Sequence, residues 1–156
     1  MKSTSLCLVF LLFSQAAYSR HNRYHQIKRC ILTTEQEYKL PKKLLGALIE
    51  QESNFKETAI NDSTHPFSFG LGQITLPTAK DFCKIKTKKE LFQHIKNIKC
   101  TAKILKHHIR KYGTIPSALT AYRGGTPCKR NSEMHRTCTQ LDEHYVRSIN
   151  KKINKK

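Results

Sequence analysis

One acid stands out by its setting. Glu52 lies in the run Leu44-Leu45-Gly46-Ala47-Leu48-Ile49-Glu50-Gln51-Glu52-Ser53-Asn54-Phe55, near the end of an apolar helical pattern. Acids are scarce, with 11 Asp and Glu against 29 Lys and Arg. A carboxyl group set against apolar walls has its pKa raised, and such a group can deliver a proton near neutral pH. The other acids lack that setting. Glu50 falls on another side of the helix. Glu57 and Asp62 lie in a loop, and Asp81 and Glu90 read as acids of a helix first turn, where the helix dipole favours them. Two glycine-bearing segments follow, Phe69-Gly70-Leu71-Gly72-Gln73-Ile74 and Ala121-Tyr122-Arg123-Gly124-Gly125. Gln73 offers an amide and Tyr122 a hydroxyl.

The elements that must position these groups are mostly helical. Thr34-x-x-Glu37 matches a capping box and predicts a short helix through Leu40. Pro41 suits the first turn of the next helix, which places Leu44, Leu45, Leu48 and Ile49 on one apolar face. From Asn54 to Phe69 the helical pattern fails, and Asn61 to Pro66 is turn chemistry. Pro77 begins a short helix over 78–82, and Thr87-x-x-Glu90 is a second capping box. Ile95, Ile98, Ala102, Leu105, Ile109 and Tyr112 recur at intervals of three and four, predicting one long core helix that Gly113 ends. Pro116 starts another, broken at Gly124-Gly125. The last carries Leu141, Tyr145, Ile149 and Ile153. No alternating strand pattern of useful length occurs. The expectation is a mostly α single domain with a loop-rich cleft side.

The 156 residues suffice for one compact domain. Lys2, the apolar run Leu6–Phe13 and the small residues Ala17-Tyr18-Ser19 read as a cleavable secretory signal over residues 1–19. The expected order is then a basic, disordered lead at 20–29, a domain at 30–150 and a basic tail at 151–156. Export places the protein in the periplasm or outside the cell, where cysteines pair. Cys7 leaves with the signal, and five cysteines remain. Cys128 and Cys138 bracket a loop that a local disulfide would staple. Cys83 and Cys100 lie at facing ends of two predicted helices, which suggests a second bridge. Cys30 with Cys100 is a rival pairing. The histidines lack metal-ligand spacing, so no metal or other cofactor is expected. The formal charge of +18 draws polyanions. In an exported protein these are anionic wall polymers or membrane surfaces rather than nucleic acid.

Taken in order, the Glu-Ser helix end, the glycine-flanked Gln, the long helix and the Ala-Tyr segment resemble the lytic transglycosylases of the soluble (SLT) type, in the lysozyme-like superfamily. The resemblance runs from about Cys30 to Ile149. It implies a lysozyme-like fold and cleavage of the MurNAc–GlcNAc bond of peptidoglycan. Glu52 would act as catalytic acid and base, closing the MurNAc 6-hydroxyl on its own C1. Ser53 would orient the carboxyl, and Gly70 and Gln73 would meet the sugar. Tyr122 would lie close to the acid, and Tyr145 would border the cleft. Small exported members of this type often open the wall for secretion, conjugation or pilus assemblies. Two positions depart from the family pattern: Gly72 replaces the usual Met, and Arg123 the usual Asn. A cation beside Glu52 would depress its pKa. The alternatives are a hydrolytic lysozyme on the same scaffold and a wall-binding module that has lost turnover.

Overall fold

The computed structural model describes residues 4–63, 65–124 and 135–155, with side-chain surroundings given for 21–63, 65–124 and 143–155. Seven helices and one small sheet make up the described residues: α1 Thr4–Glu37, α2 Leu44–Ser53, α3 Leu76–Cys83, α4 Lys88–Leu91, α5 His94–Tyr112, α6 Ile115–Gly124 and α7 His135–Ile153. Strands β1 Ile60–Asn61, β2 Ser68–Phe69 and β3 Ile74–Thr75 pair antiparallel in that order, with Ile60 opposite Phe69 and Ser68 opposite Thr75. The mostly α expectation holds. What read as loop on the cleft side contains this sheet, whose two-residue strands are too short to alternate visibly.

The main core gathers α1, α2, α5, α6 and α7. Leu45, Leu48, Ile49, Ile98, Leu105, Leu119 and Ile149 are fully buried there. A second cluster under the sheet holds Phe69, Ile74, Ala79, Leu91, Cys100 and Ile104, and Tyr122 packs against both. The Cys83–Cys100 disulfide ties α3 to α5 across 5.6 Å between Cα atoms, so that pairing is the one found and Cys30 is free. The Cys128–Cys138 staple lies outside the described residues. On the chain-entropy account, a crosslink closing a loop of this length is worth roughly 3 kcal/mol.

Several expectations are corrected. Residues 20–29 are not a disordered lead: they are helical within α1. Ile27 and Ile31, one turn apart, are 3% and 2% exposed against the core, which gives that helix a tertiary anchor. Thr34 opens no helix; it is buried inside α1. Pro41 lies between helices. Lys39 turns left-handed at φ 50, Leu40, the residue before the proline, is disfavoured in the helical region, and α2 starts only at Leu44. Ile95, expected in the core, is 53% exposed. The first residues of the expected tail, 151–153, belong to α7. The Thr87–Glu90 capping box is present, with both of its bonds made, and Gly113 ends α5 at φ 77.

The start of α2 is capped from another helix. Lys43 occupies the N-cap at φ 66 and makes no side-chain cap bond. Glu35, buried on α1, accepts instead from the backbone N–H groups of Lys43 at 3.1 Å, Leu45 at 2.8 Å and Gly46 at 3.2 Å. These are donors that a helix start leaves unpaired, and the positive end of the helix dipole favours the carboxylate. Glu35→Ala strips all three bonds at a buried end. It should cost about 2–3 kcal/mol, read as a lowered urea midpoint, and Glu35→Gln should recover part of the loss.

Candidate active site

Glu52 sits in the last turn of α2, partly buried, on the wall of a cleft of about 1140 Å³. Helix α7 packs beside α2, and its Tyr145 hydroxyl donates a hydrogen bond to Glu52 Oε1. Ser148, one turn further along α7, donates to Gln51 Oε1 at 2.6 Å. The two helices are thus pinned together next to the acid. Burial raises the Glu52 pKa above the ordinary carboxyl value; the Tyr145 hydrogen bond and the Arg123 charge oppose this without cancelling it. The acid also lies at the C-terminal end of its helix, where the negative end of the dipole disfavours a carboxylate.

Both tyrosines stand in the cleft lining with Glu52 and hold different partners. Tyr145 is the partner of the Glu52 carboxyl. The Tyr122 hydroxyl donates to the Gly72 carbonyl at 2.7 Å, while its ring stays close enough for Glu52 to act on it electrostatically. Burial first, then the negative charge of Glu52, pushes both phenols up, so each remains a protonated donor. Arg123 lies over the Tyr145 ring, with Cζ 5.5 Å from its centroid. The cation therefore stacks on the acid's own partner, a cation–π arrangement, and stays on the cleft wall.

Ser53 lines the cleft, but its hydroxyl donates to Ile49 O at 3.2 Å within its own helix and not to the Glu52 carboxyl. Gln73 also lines the cleft, held left-handed at φ 49. Its Nε2 donates to Gly70 O at 2.8 Å and to Ala59 O at 3.3 Å, and its Oε1 accepts from Ser68 at 2.9 Å. The amide is committed to holding the sheet together. Gly70 is buried away from the cleft. It has φ 75, and a side chain there would collide with the Asn97 amide and the Leu91 carbonyl. A side chain at Gly72 would strike the Thr101 hydroxyl and press on the Tyr122 hydroxyl. These glycines let core side chains come up beneath the loop, rather than letting the loop come down on a ligand.

Asn97 is the residue that sequence reasoning missed. It is fully buried on α5. Its Oδ1 accepts from Gly72 N at 2.8 Å, and its Nδ2 donates to Leu91 O at 2.8 Å and Phe69 O at 3.1 Å. An Asn inside an apolar helical face was the available signal, since such a group is buried only with partners. Of the remaining acids, Glu50 and Asp62 line the cleft. Glu57 is taken by Arg23 and by His94, each at 3.0 Å. Glu90 is fixed in its capping box with a pKa lowered to about 2, chiefly by Lys96. Phe82 and His108 close the cleft's far side. Burial lowers the His108 pKa, which keeps the ring neutral. Among the described residues no cluster of three metal-ligating groups occurs.

A helical domain with an acid at a helix end, in a cleft beside a short three-stranded sheet, defines the lysozyme-like architecture. The family model described as Transglycosylase SLT domain matches residues 29–143, and the chain belongs to that family. Protein IpgF of Shigella flexneri is 28% identical over 115 residues, covering 72% of this chain and 76% of IpgF. The crystal structure of an inactive mutant of the lytic transglycosylase Slt from Pseudomonas aeruginosa superposes with a TM-score of 0.69 at 17% identity. It covers 81% of this chain, which spans only 23% of the Slt chain, and the likeness is one of fold.

Two outcomes follow from the electrostatics. Removing the Arg123 charge should raise the Glu52 pKa further, so Arg123→Asn should shift the carboxyl titration upward in carbon-13 NMR. A carboxyl whose folded pKa exceeds its unfolded value, about 4.3 for Glu, favours the fold below that unfolded value. It loses this contribution as pH rises through the folded pKa. Glu52→Gln should therefore match or exceed wild-type Tm at pH near 7, with the gain vanishing at about pH 4, measured by calorimetry.

Proposed function

We propose that the protein is an exported peptidoglycan lytic transglycosylase with Glu52 as its single acid and base. The observation that carries this is the Glu52 carboxyl itself: partly buried, raised in pKa and held by the Tyr145 hydroxyl on the cleft wall. Protonated Glu52 gives its proton to the oxygen between MurNAc C1 and the leaving GlcNAc, and that bond breaks. The resulting carboxylate then takes the proton of the MurNAc 6-hydroxyl, whose oxygen bonds to C1. The product is a 1,6-anhydro sugar, and Glu52 ends protonated as it began. The nucleophile belongs to the substrate, so holding it close replaces a second enzyme carboxylate. Tyr145, kept protonated, steadies the carboxyl through both transfers. Tyr122 and Gln73 hold the cleft wall, and Ser53 and Gly70 support the backbone behind it.

The residue 1–19 signal and a periplasmic or secreted site are part of the same proposal, because the substrate lies outside the membrane. So is a role in opening the wall locally for an envelope-spanning assembly. The basic surface suits an anionic wall. Among the described residues no helix is long and apolar enough to cross a membrane.

Digestion of purified peptidoglycan, read by mass spectrometry, tests the chemistry. Wild type should release anhydro-ended muropeptides, and Glu52→Gln should lower the rate by at least about a hundredfold, the scale of general acid–base catalysis. Reducing-end products would mean water had replaced the sugar hydroxyl. Asp62, the loop acid on the cleft, would then be the second carboxylate to replace. No products from wild type would leave a wall-binding module.

A further inference from the structure

Helix α1 carries a pair of histidines that the catalytic reading leaves unused. His21 and His25 stand four residues apart on one face of the helix, and both are exposed. Their rings meet edge to face, with centroids 4.3 Å apart and planes at 74°. The two Nε2 atoms face each other at 2.9 Å. This pair corrects the expectation that the histidines lack metal-ligand spacing, because two histidines at i and i+4 on one helix face can share an ion. A hydrogen bond between two imidazole nitrogens uses one N–H and one lone pair, and a metal ion can take the place of that single proton. The stretch is held helical from its other side, where Ile27 and Ile31 are buried against the core, so the donors are set before any ion arrives. The nearest cations are engaged elsewhere. Arg23, between the two histidines in sequence, bonds to Glu57 at 3.0 Å and to Gln26 at 3.4 Å. Lys28 lies over the Phe55 ring, 3.7 Å from its centroid. Arg29, one turn beyond His25, is an exposed charge on the same face.

We propose that His21 and His25 form a two-point site for a transition-metal ion with imidazole affinity, Cu(II) above all. The distance selects the geometry. Metal–imidazole bonds are about 2.0–2.1 Å long. Two such bonds to nitrogens 2.9 Å apart enclose an angle of about 90°, the edge of a square-planar or tetragonal site. A tetrahedral ion would spread the same nitrogens to about 3.3 Å. Square-planar and tetragonal nitrogen sites suit Cu(II) and Ni(II), and copper stands highest in the general order of affinities. The surroundings select against hard cations. Mg(II) and Ca(II) need oxygen ligands, carboxylates above all, and this chain has 11 acids against 29 lysines and arginines. Such a surface holds an ion by bonding to nitrogen and not by attracting its charge. Because both rings are exposed, water completes the coordination. The site is independent of Glu52 and of the reaction proposed for it.

The test titrates the full chain with Cu(II) in a non-coordinating buffer at about pH 7.5, where a free imidazole is mostly neutral. Binding is followed by electron paramagnetic resonance and by amide NMR. Wild type should give a tetragonal Cu(II) spectrum split by two imidazole nitrogens, with paramagnetic broadening centred on residues 21–25. His21→Ala and His25→Ala should each weaken the Kd by at least about tenfold, the loss that follows even from disturbing a ligand's support. His107→Ala, which removes an exposed histidine of α5, should leave the Kd unchanged. A spacing variant separates chelation from histidine content. His25→Ala combined with Gln26→His keeps two rings but sets them five residues apart, off the shared face, and should bind no better than His25→Ala alone. Zn(II) should occupy the same pair less tightly. All these positions are exposed, so the variants should keep the fold, which far-UV circular dichroism checks. Broadening centred elsewhere, a single-nitrogen spectrum, equal weakening by His107→Ala, or a spacing variant that binds like wild type would each overturn the proposal.

Discussion

The side-chain amide of Asn97 lies in the core with no water to bond, so its acceptor and both its donors must be met by protein. Leaving one such group unpaired costs about 1–3 kcal/mol. The partners come from three places: the end of α4 at Leu91, β2 at Phe69 and the loop at Gly72. A change in the register of any of them would orphan the amide. Gly72, once fixed, offers its carbonyl to Tyr122, and α6 is thereby set against the same loop. The wall opposite Glu52 is therefore positioned from α5, although Asn97 itself does not line the cleft.

Helix α2 carries a carboxyl group at each end, and the fold treats the two oppositely. Glu35, reaching in from α1, meets three unpaired N–H groups and the positive end of the dipole, a setting that rewards negative charge. Glu52, on the last turn, meets apolar burial and the negative end. One short helix thus has an anionic partner that anchors its start and, at its finish, an acid whose pKa burial raises. Arg123 pulls the other way, but it lies over the Tyr145 ring with that aromatic partner to share. The departure from the family's usual Asn adjusts the acid without reversing burial.

Glu52 was legible because proton chemistry needs an acid in an apolar setting, and few acids compete for the role here. The long helix α5 was legible because its apolar spacing extends over most of its length. Ile95 misled because the periodicity starts before the packing does: the buried residues of α5 begin only at Asn97. The residues that organise the site were the hard ones. Asn97 and Glu35 are polar types that usually face solvent, and their function lies in backbone groups distant in sequence. Gln73 and Ser53 were visible as hydrogen-bonding residues. Whether an amide faces a ligand or its own sheet depends on which carbonyls lie within 3 Å, and a single strand of letters does not carry that. Residues 20–29 read as disordered because their composition is polar, yet two isoleucines one turn apart were enough to seat the helix.

The crowding at Gly72 bears on how this chain can change over evolutionary time. Thr101 and the Tyr122 hydroxyl already fill the volume that a Cβ at position 72 would claim. Thr101 is itself buried and bonded back to Asn97 O at 2.9 Å. A methionine, usual in the family at this position, is therefore not one substitution away. Thr101 must first give way and the Tyr122 side chain must shift, although the backbone carbonyl of residue 72 that accepts from Tyr122 stays available whatever the side chain. A side chain at position 72 is therefore coupled to the residue at 101, and with Thr101 in place the buried loop behind the cleft wall has room for glycine there.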